Sequence, residues 1–215
     1  MPRRRTIILA SASPRRLKIV SQLLFKVEVI PSNADETLPE GEKPVDAVRT
    51  IATRKAEAVA RTNQGVIVAA DTMVELGGKL YGKPKDAADN ARMLSELRGK
   101  KHTIITGITV MDTSTGMIMT DANVAHIEMR DYSDREIADY AASGDGLDAA
   151  GGYNVLSDGR ALTKDISGCE NGIAGLPLCK LLEMLFNLGI KVDKKYYCKM
   201  LNGDPCPNTR PEATS

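Results

Sequence analysis

Apolar and polar positions alternate between two periods along the chain, and the switches mark its elements. Thr6-Ile7-Ile8-Leu9-Ala10 is a short apolar run that reads as a strand. Ser11-Ala12-Ser13-Pro14-Arg15-Arg16 follows, with Ser13 set to be an N-cap and Pro14 the first helical residue. The helix continues through Leu17, Ile19, Val20, Leu23 and Leu24, and Lys26 to Ile30 is a second strand ended by Pro31. After a polar loop carrying Asp35-Glu36, residues Val45 to Arg61 repeat apolar side chains at Val48, Ile51, Ala52, Ala56 and Val59, a helical stripe.

Gly65 to Ala70 is continuously apolar, as in a strand covered on both faces, and is expected to end at Asp71-Thr72. Residues 73–76 and 79–81 flank Gly77-Gly78 as a hairpin, and Asp86 caps a helix running to Leu97 and closed by Gly99. A long strand from Thr103, a turn at 113–116 and a returning strand over 117–129 come next, then a short helix from Asp134 to Ala142. The glycine-rich stretch 144–159 has no readable period. A final helix spans Leu176 to Leu188, and residues 202–215, rich in Pro, Asn, Thr and Ser, read as a disordered tail after a single domain over 1–201. Helices interspersed with buried strands predict an α/β fold with a mixed sheet.

Composition narrows the classes. A net charge of +1 in 215 residues gives no overall field for nucleic acid, and Arg3, Arg4 and Arg5 read as a flexible basic start. No stretch nears the roughly 20 apolar residues that span a bilayer, and the apolar run after the basic start is too short for a signal peptide. A soluble, cytoplasmic protein is expected. Cys169, Cys179, Cys198 and Cys206 contain no Cys-x-x-Cys pair and read as reduced thiols, with a Cys198–Cys206 bridge the lesser alternative. His102 and His126 form no ligand cluster, which argues against zinc.

Several charged residues are out of place. Lys55 falls on the apolar stripe of its helix, so it either snorkels out or points into a cleft toward a negative partner. Asp71 closes an apolar run, where it can cap a turn or meet a ligand, as α/β proteins place theirs at strand ends. Lys83 sits in the rigid Gly82-Lys83-Pro84, and the two arginines flank a helix start suited to an anion. Each alone is equally readable as a solvated charge. Together, cations at Arg15, Arg16, Lys55 and Lys83 with carboxylates at Asp35, Glu36 and Asp71 make the mixture that phosphoanhydride hydrolysis needs. No G-x-x-x-x-G-K-[ST] loop is present, so a P-loop ATPase is not supported.

Leu9 to Arg16, Arg54-Lys55-Ala56, Ala70-Asp71-Thr72, Gly82-Lys83-Pro84, Ala150-Gly151-Gly152-Tyr153 and Gly175-Leu176-Pro177-Leu178 stand in the order found in Maf proteins. The chain resembles that family, nucleoside triphosphate pyrophosphatases also called septum formation inhibitors, from about Thr6 to Leu188. The resemblance implies an elongated fold like that of the inosine triphosphatases, with a cleft between two lobes. It implies Mg²⁺- or Mn²⁺-dependent cleavage of a nucleoside triphosphate between its α and β phosphates, in a cytoplasmic and often dimeric protein; charge and hydropathy point to no nucleic-acid or membrane partner. Carried over by motif, Asp71 is the proton acceptor, Lys55 and Lys83 are catalytic cations, and Ser11 and Arg16 join them as triphosphate ligands. Glu36 and Asp71 hold the metal, while Arg15 and Thr72 tune base choice.

The Asp71-Thr72 pair resembles that of the subfamily acting on dTTP and UTP. That subfamily usually reads Lys-Ala-Gly-x-Tyr-x-Ile-Gln-Gly where this chain has Ala149 to Ser157, so Leu156 stands in place of a specificity-determining glutamine. Leucine cannot hydrogen-bond a base edge, and losing such a contact can shift selectivity. The expected substrates are dTTP and UTP or modified pyrimidine nucleotides, in a house-cleaning role. A non-catalytic nucleotide-binding regulator of cell division is the alternative.

Overall fold

The computed structural model describes residues 6–23 and 25–190, together with residues 192 and 206. Leu24, Arg3 to Arg5, Cys198 and all of the expected tail except Cys206 lie outside the described residues. Seven strands form one mixed sheet in the order β2-β1-β3-β5-β6-β7, with β4 pairing part of β3.

The opening run forms β1 (Thr6–Leu9), followed by α1 (Pro14–Val20), a 3-10 turn to Leu23, and β2 (Lys26–Val29), parallel to β1. Pro14 is the first helical residue and Ser13 occupies the N-cap position, but the Ser13 side chain makes no capping bond. The long stripe forms α2 (Pro44–Ala60). The α3 helix (Ala87–Leu97) is capped by Asp86, which accepts from the Asp89 backbone N–H at 2.8 Å. The α4 helix (Asp134–Ser143) carries a capping box between Ser133 and Glu136.

The largest departure from the sequence reading concerns the strand through Asp71. The expected end at 71–72 does not occur: β3 runs unbroken from Val66 to Leu76. Its partner β5 (Lys101–Asp112) stays in antiparallel register from Val66↔Asp112 to Glu75↔Thr103, and this ladder carries a polar pair through the middle of an apolar strand. The glycine turn then leads to β4 (Lys79–Tyr81) as expected. β6 (Met117–Met129) pairs with β5, and β7 (Thr163–Ser167), absent from the sequence reading, pairs with β6. The expected final helix over 176–188 is α6 (Leu178–Asn187), and α5 (Glu170–Ile173), absent from the sequence reading, precedes it across Gly175 and Pro177.

Alternation along β3 sorts the core. Val66, Val68 and Ala70 share a cluster with Ile19 and Val20 of α1 and with Leu181 and Leu185 of α6. Ile67 and Ala69 face Ala56 and Val59 of α2 on the opposite side. Farther along, Val74 joins a second cluster with Leu94 and Leu97 of α3, Ile137 and Tyr140 of α4, and Tyr153. Residues 71–73 fall between these clusters.

Candidate active-site cleft

The ends of two strands open the cleft. β1 pairs with β3 only over Val66–Val68, and β4 pairs with it only from Val74. Between them, residues 69–73 have no strand partner on that edge among the described residues. A cavity of about 470 Å³ wraps this gap, lined by Ser11, Arg16, Glu36, Lys55, Asp71 and Thr72 among others.

Lys55 points into the cleft rather than out to solvent. Its ammonium lies 2.7 Å from Asp71 Oδ1 and 2.9 Å from Glu36 Oε2, with Lys55 only 5% and Asp71 only 7% exposed. Burial explains the tight pairing, since two adjacent charges of opposite sign are tolerated inside where one alone is not. Glu36 comes from the polar loop before α2 and remains exposed.

Arg16 is held by three acceptors at once. Its Nε donates to the Gly175 carbonyl (2.8 Å), Nη1 to Ser11 Oγ (3.0 Å) and Nη2 to Thr72 Oγ1 (3.2 Å). Burial pulls the guanidinium below its ordinary pKa, partly offset by the Asp71 charge; arginine remains cationic at neutral pH. Gly175 adopts φ +107°, a region disfavoured for other residues, and its missing Cβ lets Arg16 Nε and Thr72 Oγ1 approach. The Thr106 hydroxyl on β5 lies 3.1 Å from Thr72 Oγ1 and 2.8 Å from the Gly172 carbonyl, tying α5 to the sheet.

Arg15 and Lys83 converge on a residue the sequence reading missed. Arg15 donates to the Asp148 backbone carbonyl and lies 3.5 Å from its carboxylate, while Lys83 bonds Asp148 Oδ1. Asp148 stands in the unreadable glycine-rich stretch, and its one sequence signal is its place just before Ala150-Gly151-Gly152-Tyr153. The stretch folds as turns fixed from outside: Asn90 of α3 donates to the Gly152 carbonyl at 2.6 Å, and Tyr140 of α4 donates to Asp145 at 2.7 Å. Tyr153 lines the cleft with its hydroxyl 2.6 Å from His102 Nε2. Burial holds His102 down to about 4 and pushes the Tyr153 phenol well up.

Two residues stand apart. Leu156 is half-buried against both main core clusters and is not among the residues lining the cleft, whereas Ala149, Asn154 and Val155 are. Asp35 accepts from the Thr37 backbone N–H at 2.8 Å in an exposed turn and is not among the residues lining the cleft.

The family model described as Maf-like protein matches residues 6–188. This chain belongs to the Maf family. The dTTP/UTP pyrophosphatase of Dictyoglomus turgidum is 39% identical over 86% of this chain and 97% of its own length. That of Desulforamulus reducens is 40% identical over 87% of this chain and 99% of its own length. Among solved structures, the Ham1 protein of Staphylococcus aureus overlaps 59% of this chain and 72% of that chain, at 16% identity and a TM-score of 0.42. Within this Maf chain, the motif residues Ser11, Arg16, Lys55, Asp71 and Thr72 meet at the gap in the sheet, and Arg15 and Lys83 meet Asp148 at its rim.

Proposed function

We propose that this protein hydrolyses the α–β phosphoanhydride of nucleoside triphosphates, releasing a nucleoside monophosphate and pyrophosphate. The buried Lys55–Asp71 pair in the cleft, facing the Arg16 fork, carries this reading. The names of the relatives, dTTP/UTP pyrophosphatases, support pyrimidine triphosphates as substrates.

Asp71 takes a proton from the attacking water as its oxygen bonds the α-phosphorus. The bridging P–O bond breaks, and the electron pair leaves with pyrophosphate. Lys55 orients Asp71 toward the water through the 2.7 Å bond. Arg16, Ser11, Arg15 and Lys83 gather the phosphate oxygens and steady the charge that builds on the leaving group. Asp148 holds Arg15 and Lys83 at the rim, so incoming phosphate exchanges one anionic partner for another.

The donor set suits a hard divalent cation. Oxygens of Asp71 and Glu36 both reach the same ammonium, so they lie close enough to share a cation of Mg²⁺ or Mn²⁺ type, which takes one or two carboxylates plus substrate phosphates. Bound there, such a cation supplies charge neutralisation at the triphosphate. The alternative of a non-catalytic regulator is not favoured, because both members of the buried pair are kept.

Pyrophosphate release with Mg²⁺ is the test, measured across dTTP, UTP, CTP, 5-methyl-UTP, pseudouridine triphosphate, ITP, XTP and 7-methyl-GTP, with Asp71→Asn as the blank. Release from pyrimidine triphosphates that the variant lacks is expected. No release from any of them overturns the proposal.

A further inference from the structure

Three of the chain's four cysteines meet in the core. Cys169 is the N-cap of α5, Cys179 lies in the first turn of α6, and Cys206 lies beyond α6 in the chain. Their exposures are 0%, 8% and 3%, and their sulfur atoms all lie within 4.8 Å of one another. Cys179 Sγ is 3.9 Å from Cys169 Sγ, and none of the three is in a disulfide. They share the apolar cluster of Val68 and Ala70, on the face of β3 opposite to the Lys55 side.

Burial alone suits a thiol, which behaves as a small hydrophobe. It does not require three of them from separate elements to turn sulfur toward sulfur. A disulfide would hold two sulfurs at about 2.05 Å and leave one of the three over. Thiolates on a tetrahedral zinc with bonds of about 2.3 Å stand about 3.8 Å apart, close to the observed spacing of the first pair.

We propose that Cys169, Cys179 and Cys206 form a structural Zn²⁺ site, binding the metal as three thiolates with the remaining tetrahedral position left to a further donor. Each Zn–S bond replaces an S–H bond, and the three protons pass to solvent, so binding weakens in acid. The site clamps both ends of the segment from residue 169 to 179. That segment supplies Ile173, Ala174 and Gly175 to the cleft, and the Gly175 carbonyl holds Arg16. The metal therefore ties residue 206 to the core and braces the arginine fork from behind. This claim does not rest on nucleotide hydrolysis; zinc can bind in a protein that releases no pyrophosphate.

The test uses the full chain, produced with Zn²⁺ under reducing conditions and desalted, with metal content read by mass spectrometry. About one zinc per chain is expected, falling at least fivefold in Cys206→Ser. A chelator should lower the Tm of the wild type and leave that of Cys206→Ser unchanged. Should that variant fail to fold, Co²⁺ loading of the wild type replaces it, with sulfur-to-cobalt charge-transfer absorption as the expected signature. Wild type that keeps no metal, shows no such absorption and has a chelator-insensitive Tm overturns the proposal. So does non-reduced protein lighter by two hydrogens through a bridge among these cysteines.

Discussion

Gly107 lies directly opposite Asp71 in the β3–β5 pair, and the hydrogen in place of its side chain is what lets α2 sit down on the sheet. A Cβ at 107 would collide with the Val48 carbonyl and come within 2.8 Å of the Arg49 backbone nitrogen. Val48 is two helical turns before Lys55 on the same stripe. The close approach at Gly107 therefore sets the depth at which the Lys55 ammonium meets the Asp71 carboxylate. Gly107→Ala should destabilise the fold by about 1–3 kcal/mol through overpacking, since backbone is what it strikes. Pyrophosphate release should fall by up to about 10²-fold, as expected for a displacement near 1 Å. Urea unfolding and steady-state kinetics measure the two effects.

Asp71→Asn keeps the shape of the site and removes the proton acceptor. A drop in kcat of about 10²- to 10⁴-fold with KM little changed is expected, read from pyrophosphate release.

Lys55→Met leaves Asp71 buried beside Glu36 without its hydrogen-bonded cation. A loss of about 3–5 kcal/mol is expected in denaturant unfolding, because one partner of a buried pair has been removed. The double variant with Asp71→Asn should recover much of that stability while staying inactive, which separates the electrostatic cost from the packing of the lysine stem.

Arg16→Lys replaces a planar fork with a single ammonium that cannot reach Gly175, Ser11 and Thr72 together. The KM for the triphosphate should rise about tenfold, equivalent to ~1.4 kcal/mol, if KM tracks binding. Equal kinetics for the two proteins would remove Arg16 from the binding site.

His102 makes stability depend on pH. Its native pKa near 4 lies below the ordinary 6.5 because the imidazole is buried beside Tyr153. The native form therefore stays neutral while the unfolded chain takes up a proton. Its contribution is fully present above about pH 6.5 and is lost as pH falls toward 4, up to about 3 kcal/mol. Urea midpoints at pH 7, 5.5 and 4.5 should fall more steeply for the wild type than for His102→Gln.

Local pattern carried much of this protein. The period of the stripe over 45–61 located α2 and marked Lys55 as a charge among apolar neighbours, while Pro14, Asp86 and Gly99 punctuated helices where the structure has their ends. These signals are legible because a helix face and a cap are set by residues within about one or two turns. β7 and α5 are not legible. β7 is exposed along most of its length and so lacks an apolar alternation, and α5 is a single turn of four residues, too short to show a helical period.

Only the tertiary structure decided which charges meet. The apolar run stops at Asp71, yet β5 carries β3 on to Glu75, and the opening arises because β1 stops beside Val68. Lys55 and Asp71 are 16 residues apart, and Arg15 and Asp148 are 133 apart. Asp148, marked only by its place before Ala150-Gly151-Gly152-Tyr153, and the three buried cysteines carry no periodic signal, since each gains its partners from elements distant in the chain. The sequence by itself determined the elements and the inventory of charges; the lengths at which neighbouring strands end, and the close packing of α2 at Gly107, decided which of those charges share one cleft.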